Sequence, residues 1–161
     1  MPHFDAAYNL ARYLTGDEND AADVVQDACV RALKFFDGFR GDNARAWLLT
    51  IVRRTFYNWL HDNRPSQLAE AYNEESHAVE DPAESPDAAM LRNSDVQAVR
   101  DALKQLPLEF REVLVMREME GLSYKEIASA CDIPIGTVMS RLARGRKLLQ
   151  DEFRNQRERQ S

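Results

Sequence analysis

Apolar residues recur every three or four positions along most of the chain, and this period predicts α-helices. The pattern places helices at residues 3–14, 20–36, 44–61 and 88–105, and a further helix begins at Pro107. Glycine and proline, which interrupt helices, number six each in 161 residues, so the sequence predicts an all-α fold. The apolar side chains expected to face inward include Phe4, Leu10, Val24, Leu33, Phe56, Val96, Leu103 and Phe110.

Residues 121–149 have the layout of two helices joined by a tight turn. Ser123 is a suitable N-cap and Glu126 follows three positions later, which is the pattern of a capping box. The first helix should end near Ala130, because Pro134 is best tolerated in the first turn of a new helix. The apolar row of that second helix consists of Ile135, Val138, Leu142 and Leu149, with Gly145 in the same row.

The opposite side of the second helix carries hydrogen-bond donors and positive charge. It consists of Thr137, Ser140, Arg141, Arg144 and Lys147. A helix-turn-helix places such a helix in the major groove of DNA. Arginines on an amphipathic helix are also common on ordinary solvated surfaces, but the capped helix and short turn ahead of this one favour DNA binding. The pattern does not say which class of DNA-binding protein this is.

Charge is unevenly distributed along the chain, whose formal net charge is −6. Residues 62–90 carry eight acidic side chains and one basic one, whereas residues 136–161 carry seven basic and three acidic ones. Because phosphate binding depends on the local face, the negative total does not exclude a nucleic-acid partner. The acidic stretch also has three prolines and little apolar periodicity, so we expect a flexible linker there.

A second candidate surface lies on the third helix and the loop before it, where basic and aromatic residues alternate. The residues are Phe39, Arg45, Trp47, Arg53, Arg54 and Tyr57. Arginine neutralises phosphates, and aromatic rings stack on unpaired bases, so this pattern indicates contact with single-stranded nucleic acid. The alternative is that the aromatic residues Trp47, Phe56 and Trp59 belong to the core, which we favour for Trp59.

Several classes of function have no support in the sequence. The sequence contains no run of 18 apolar residues, which a membrane-spanning helix would need, and residues 1–14 do not resemble a signal peptide. Cys29 and Cys131 belong to no metal-binding or redox motif, which favours a reducing cytoplasm. The histidines are scattered and no pair of carboxylates stands out. We therefore predict neither catalysis nor a metal or other cofactor.

Three segments together resemble one family, the extracytoplasmic-function (ECF) sigma factors of bacterial RNA polymerase. DAADVVQDACVRALKFFDGFRG resembles the region 2 helix that docks on the polymerase clamp, and ARAWLLTIVRRTFYNWL resembles the following helix, which recognises the −10 promoter element. LPLEFREVLVMREMEGLSYKEIASACDIPIGTVMSRLARGRKLL resembles region 4, which recognises the −35 element. Similar proteins usually have additional residues ahead of HFDAAYNLA.

The resemblance implies an architecture and a function. Two small helical domains are expected at residues 1–62 and 90–155, joined by an acidic linker at 63–89 and followed by a polar tail at 156–161. The polar composition of residues 150–161 predicts that the chain frays there. The second domain contains the helix-turn-helix. The protein is expected to bind core RNA polymerase in the cytoplasm and to direct it to promoter DNA. An anti-sigma factor that covers the polymerase-facing surfaces is a further expected partner.

The resemblance also assigns roles to individual residues. Those expected to face the polymerase clamp are Asp23, Gln26, Asp27 and Arg31. Those expected at the −10 element, where the loop after Phe39 would hold a flipped base, are Phe39, Arg40, Asn43, Trp47, Arg53, Arg54 and Tyr57. In the −35 helix, base edges are assigned to Ser140, Arg141 and Arg144. Contacts to the DNA backbone are assigned to Tyr124, Lys125, Thr137, Arg146 and Lys147.

Two departures and two alternative functions accompany this interpretation. Met139 stands where many relatives have a basic residue, and Arg54 stands where asparagine is common, so the preferences at the promoter elements can differ. A stand-alone helix-turn-helix regulator would leave the region 2 resemblance unexplained. A sigma mimic that binds an anti-sigma factor often loses its basic recognition face, whereas Arg141, Arg144 and Lys147 are retained here.

Overall fold

A computed structural model describes residues 3–39, 43–66 and 96–160, and this part of the chain is helical without a β-strand. The all-α prediction is confirmed. The α-helices are α1 (Phe4–Thr15), α2 (Glu18–Lys34), α3 (Ala44–Asn63), α4 (Val96–Gln105), α5 (Leu108–Leu114), α6 (Tyr124–Cys131) and α7 (Ile135–Gln160). Most of the expected linker, Arg40 and the first residues of the helix expected at 88–105 lie outside the described residues.

Local capping explains where several of these helices begin and end. α1 ends at Gly16, whose φ of 76° is a left-handed conformation that glycine adopts at little cost. The Asp17 side chain then caps the first turn of α2 by accepting from the Asn19 backbone N–H. The predicted capping box of α6 is confirmed, because the side chains of Ser123 and Glu126 each accept a backbone N–H from the other residue.

Between α5 and α6 the chain makes a turn that the apolar period does not predict. α5 continues into a π-helical turn, Val115–Met119. Such a wider turn shifts the residues after it out of the regular helical register. Gly121 then adopts a φ of 67° and ends the turn. The turn positions Glu118 to pair with Arg146 and Glu120 to pair with Arg45.

Some predictions at the level of single elements are wrong. Residues 150–160 do not fray but continue α7, because Phe153 is buried and the Gln156 side chain donates to the Ala98 carbonyl of α4. Contacts in the tertiary structure thus stabilise a segment whose sequence is mostly polar. Four apolar side chains expected to face inward lie on the surface instead: Phe4, Leu33, Val96 and Ile135.

The three N-terminal helices (residues 3–66, the N-terminal unit) and the four C-terminal helices (residues 96–160, the C-terminal unit) pack against each other. α1 contacts α4 and α5, and α3 contacts α6. The buried apolar side chains of both units form one connected cluster, from Leu10 and Phe56 in the first to Met116 and Leu142 in the second. The second unit is therefore held in a definite place on the first.

Gly145 allows α7 to approach α5 closely. A Cβ atom at this position would lie 3.1 Å from Cδ1 of Leu114 and 3.4 Å from Cβ of Phe110. We expect Gly145→Val to lower the free energy of unfolding by about 2 kcal/mol, because the added methyl groups overpack a tight contact. Urea denaturation would measure it.

The control for this change is Gly136→Ala on the same helix, where nothing lies within 4 Å of the added carbon. We expect that variant to be unchanged or more stable by about 0.5 kcal/mol, because alanine favours helix. Equal stabilities for Gly145→Val and the parent chain would contradict the close packing of α5 and α7.

Candidate nucleic-acid and polymerase interface

One surface of α3 and of the residues just before it carries aromatic, basic and polar side chains. We call it the α3 face, and it consists of Phe39, Asn43, Trp47, Arg53, Arg54 and Tyr57. An aromatic cluster lies at its N-terminal end. The Trp47 ring is half-buried, and its centre lies 5.1 Å from that of Phe39 and 6.3 Å from that of Phe36. The Asn43 side chain caps α3 by accepting from the Ala46 backbone N–H at 3.0 Å. Of the predicted aromatic residues, Phe39 and Trp47 are thus brought together at the N-terminal end of the helix, whereas Tyr57 lies further along it.

Further along the α3 face, Arg53 and Tyr57 are engaged by a glutamate of the C-terminal unit. Nε and Nη2 of Arg53 donate to the two carboxylate oxygens of Glu112 at 2.9 and 3.1 Å, and the Tyr57 hydroxyl donates to the same carboxylate at 3.0 Å. The Glu112 side chain is 1% exposed and that of Arg53 16%. The guanidinium of Arg53 also lies over the Tyr57 ring, 4.5 Å from its centre.

The electrostatics of this cluster follow from burial and from the carboxylate. Burial raises the pKa of Tyr57, and the negative charge of Glu112 raises it further. Burial by itself lowers the pKa of Arg53, but the charge and hydrogen bonds of Glu112 leave that pKa above its usual value. Arg53 is therefore charged and Tyr57 neutral at physiological pH, and both act as donors to Glu112.

Two more carboxylates of the C-terminal unit reach residues near the start of α3. The Asn43 side chain donates to the carboxylate of Glu126, and Nη1 of Arg45 lies 3.5 Å from the carboxylate of Glu120. Glu120 is 7% exposed, and burial raises its pKa. Arg54, by contrast, is exposed. The sequence analysis gave no role to Glu112 or Glu120, because polar positions on a helix look alike whether they face water or a second unit.

The basic side of α7 lies on the molecular surface at most of the predicted positions. Arg144 and Lys147 are exposed, and Thr137 and Ser140 are half-buried. The Ser140 hydroxyl donates to the Gly136 carbonyl at 3.0 Å, and the Arg144 guanidinium lies 5.9 Å from the centre of the Phe110 ring. The spacing of these positions places them in one row along the helix.

The remaining positions assigned to the −35 element differ in exposure. Arg141 is only 7% exposed, so in this arrangement its side chain lies within the protein rather than on the surface. Arg146 is held by Glu118, with Nη2 of the arginine 2.7 Å from the carboxylate. Tyr124 is half-buried beneath Arg117, whose guanidinium lies 4.6 Å from the ring centre, and Lys125 is exposed.

The residues assigned to the polymerase clamp share the outer side of α2. Asp23, Gln26 and Asp27 are exposed, and Arg31 pairs with Asp27 at 3.4 Å as the spacing of four positions predicts. Next to them, an open groove between α1 and α2 is lined by apolar side chains, including the exposed Phe4, Val30 and Leu33. The apolar period predicts Phe4 and Leu33 as core residues, so this groove could not be foreseen from the sequence.

Residues 3–39, 43–66 and 96–160 contain no group of three or more histidine, cysteine, aspartate or glutamate side chains placed to hold a metal ion. No helix within the same ranges is long and apolar enough to cross a membrane. Cys29 and Cys131 are both free thiols, and burial raises the pKa of Cys131.

Comparison with known proteins identifies the family. The family model for Sigma-70 region 2 matches residues 1–65, and that for Sigma-70, region 4 matches residues 96–149. The ECF RNA polymerase sigma-E factor of Escherichia coli strain K12 is 36% identical, over 89% of this chain and 78% of that protein. This chain belongs to the ECF sigma factors. The RNA polymerase sigma-H factor of Pseudomonas aeruginosa is 39% identical to this sigma factor, and the match covers 83% of this chain and 72% of the sigma-H factor.

Solved structures agree with the assignment of this sigma factor. The sigma factor RpoE from Bartonella quintana, determined in complex with the anti-sigma factor NepR, covers 94% of this chain with a TM-score of 0.72 at 30% identity. The match includes 91% of the RpoE chain. CnrH was determined in complex with the cytosolic domain of CnrY. Its match covers 93% of this chain and 81% of the CnrH chain, with a TM-score of 0.64 and 28% sequence identity.

Within this sigma factor, the candidate surfaces follow the two family regions. The outer side of α2 and the α3 face lie within the segment matched by region 2, and the basic side of α7 lies within the segment matched by region 4. Glu112 and Glu126, which engage the α3 face, both come from the region 4 segment, and so does Glu120, which pairs with the neighbouring Arg45.

Proposed function

We propose that this sigma factor binds core RNA polymerase, directs it to promoters and helps to initiate transcription there. The observation that supports this most is that the two family regions carry two chemically different candidate surfaces for DNA. The α3 face combines arginines with aromatic rings, which suits a melted strand. The exposed basic side of α7 suits a duplex major groove.

Each surface has its own part in the proposed mechanism. The outer side of α2, with Asp23, Gln26, Asp27 and Arg31, contacts the polymerase clamp. The basic side of α7 reads the −35 element, with Arg144 at base edges and Lys147 at phosphates. The α3 face captures unpaired bases of the −10 element, so that contacts with flipped bases offset the cost of unstacking them. We assign residues 1–62 and 90–155 to these two domains.

The proposed role is recruitment rather than catalysis. No step above needs a bond to be made or broken by a side chain of this protein. We also propose that an anti-sigma factor regulates this chain, because the similar sigma factor RpoE was determined in complex with the anti-sigma factor NepR. Work of this kind takes place in the cytoplasm, where the sequence analysis placed the protein.

Run-off transcription from a pool of genomic promoter fragments tests the proposed function. Core RNA polymerase would be assayed with and without the full-length protein. We expect specific transcripts only when the protein is added, and alignment of their start sites should show a shared element at each of the two positions. If the protein neither binds core polymerase nor yields a transcript, the sigma function is refuted. If it then still protects duplex DNA in a footprinting assay without polymerase, it is a stand-alone regulator.

Arg144 provides a sharper test of the −35 assignment. We expect Arg144→Ala to weaken binding to the −35 element by about 2 kcal/mol, or about thirtyfold, because a bidentate arginine–guanine contact is lost. Transcription from promoters with altered −35 sequences would measure the change in preference.

The matched control is Arg154→Ala, which removes an exposed arginine from the same helix. Arg154 lies ten positions further along α7 and pairs with Asp151 at 3.5 Å. Its loss should leave the promoter preference unchanged. An equal effect of the two substitutions would mean that Arg144 contributes only general positive charge.

A further inference from the structure

The first two turns of α7 carry two large apolar side chains on the molecular surface. Ile135 is 46% exposed and Met139 is 50% exposed. They are four positions apart, so they lie one above the other on the helix. The apolar row that packs inward, with Val138 and Leu142, is buried without them. The core of the C-terminal unit therefore does not account for Met139.

Met139 projects beyond the residues that surround it on the helix. Its neighbours one turn before and one turn after are Gly136, which has no side chain, and Ala143, which is 8% exposed. A Cβ atom added at Gly136 would meet open space rather than another side chain of the described residues. The adjacent Ser140 turns its hydroxyl back to the Gly136 carbonyl at 3.0 Å. A surface that approaches this part of α7 thus meets the Met139 side chain first.

We propose that Met139 selects thymine in the −35 element by packing against the C5-methyl group of that base. All four bases present hydrogen-bonding groups in the major groove, but only thymine adds a methyl group there. A methionine side chain suits that group, because its thioether has no donor and is only a weak acceptor. The inference deepens the proposed function and rests on it, because it takes α7 to be the helix that reads the −35 element.

The place of Met139 along α7 fits a contact with bases. A helix that reads the major groove uses residues near its N-terminus for the base edges. Met139 is the fifth residue of α7, and it borders the basic side that carries Ser140 and Lys147. The contacts proposed for Arg144 and Lys147 would hold the helix in the groove. Met139 then faces the edges of the base pairs at the floor of the groove.

Hydrogen-bond donors are few around Met139, which leaves an apolar contact as the main source of selectivity there. The Ser140 hydroxyl hydrogen is used within the helix, and Arg141 is only 7% exposed. The next basic residue, Arg144, lies five positions beyond Met139. Single exposed apolar side chains are common on protein surfaces, but this one lies on the helix that would enter the groove. A base pair that faces it is therefore distinguished chiefly by whether it presents a methyl group.

The experiment begins with a promoter library. Core polymerase with the full-length protein, the holoenzyme, transcribes fragments of one promoter found by run-off transcription, with the −35 segment randomised. We expect the wild-type holoenzyme to enrich thymine about fourfold at one −35 position, which corresponds to the burial of one methyl group. Met139→Ala should lose the enrichment. Met139→Leu should retain it, because leucine is an apolar side chain of similar size.

Removal of the methyl group from the DNA then tests the contact directly. At the enriched position thymine is replaced with deoxyuridine, which pairs with adenine in the same way but lacks the C5-methyl group. Binding of the wild-type holoenzyme should weaken about fourfold, whereas the Met139→Ala holoenzyme should bind both fragments equally. The side chain and the methyl group are thus removed separately and together, as in a double-mutant cycle.

Val96→Ala provides the matched control. Val96 is an apolar residue of the same unit, 59% exposed at the start of α4. Its replacement should leave both the enrichment of thymine and the weaker binding to deoxyuridine unchanged. Circular dichroism would verify that each variant keeps its helices.

The outcomes separate this inference from the proposed function. A thymine preference that disappears in Met139→Ala and persists in Val96→Ala supports the inference. It is overturned if the wild-type holoenzyme shows no preference for thymine over deoxyuridine, or if Met139→Ala or Val96→Ala changes that preference to the same extent. Specific run-off transcripts with wild-type protein would leave the sigma function intact in that case. Their absence, together with loss of core binding, would refute the sigma function and this inference with it.

Discussion

Replacement of Arg111 by alanine is expected to lower the free energy of unfolding by about 4 kcal/mol, because several carbonyl oxygens would lose their donor together. The half-buried Arg111 side chain lies between the C-terminal ends of two helices. It donates to the carbonyls of Leu103, Lys104 and Leu106 at the end of α4, and to that of Leu14 at the end of α1. A positive charge at a helix C-terminus is also favourable to the helix dipole.

Arg111 retains its charge in spite of its surroundings. Burial lowers its pKa to about 10, which still leaves the guanidinium protonated at physiological pH. The bond to Leu14 crosses between the two units at 2.9 Å, so the arginine stabilises both the C-terminal unit and its contact with α1. A loss of about 4 kcal/mol is a large part of the 5–15 kcal/mol that typically stabilise a folded protein.

Urea denaturation followed by circular dichroism would measure the effect of Arg111→Ala. Arg111→Lys should be intermediate, because an ammonium group lacks the planar fork that reaches several carbonyls at once. The exposed Arg154→Ala should change stability by about 0.5 kcal/mol or less. A loss below about 1 kcal/mol for Arg111→Ala would show that water satisfies these carbonyls equally well.

Replacement of Phe56 by alanine is expected to cost a similar amount, about 4 kcal/mol, through a different mechanism. Phe56 is 1% exposed in α3, and its ring stacks on Trp59 with centres 6.2 Å apart and meets the Tyr57 ring edge-on at 5.3 Å. Replacement of the ring by a methyl group would remove buried apolar surface and leave a cavity beneath α3. Thermal or urea unfolding would measure the loss.

Phe35→Ala provides the matched control, because Phe35 is the same residue type but is 61% exposed at the end of α2. Its loss should change stability by about 0.5 kcal/mol or less. If the two phenylalanine variants were equally stable, Phe56 would not be part of the core described here. A folded Phe56→Ala protein with normal transcription at low temperature would show that packing behind α3 contributes stability alone.

The candidate surfaces differ in exposure. The outer side of α2 and the side chains of Arg144 and Lys147 are exposed, whereas Arg53 and Tyr57 on the α3 face are covered by Glu112. The exposed groups can meet a partner directly, whereas the donors of Arg53 and Tyr57 are already used within the protein.

Most of the helices, and the helix ends that local caps define, were predictable from the sequence, because they depend on neighbours a few residues away. The π-helical turn after α5 and the end of α7 were not. The apolar period located α1, α2, α3 and the helix-turn-helix. The capping box at Ser123 and the glycine at position 16 defined two helix ends with local hydrogen bonds and backbone geometry. The proposed type of each candidate surface also comes from the sequence and stays a prediction, because aromatic and basic residues on one helix face indicate a chemistry wherever the helix packs.

The partner of each polar side chain was decided by the tertiary structure. The period of α3 shows that Arg53 and Tyr57 are not ordinary core positions, but it cannot show that a glutamate 59 and 55 positions away covers them. In the same way, Arg141 shares a polar row with Arg144, yet one is buried and the other exposed. A local pattern records which side of a helix is polar, whereas only the packing of the two units determines whether that side meets water, DNA or a carboxylate of the same chain.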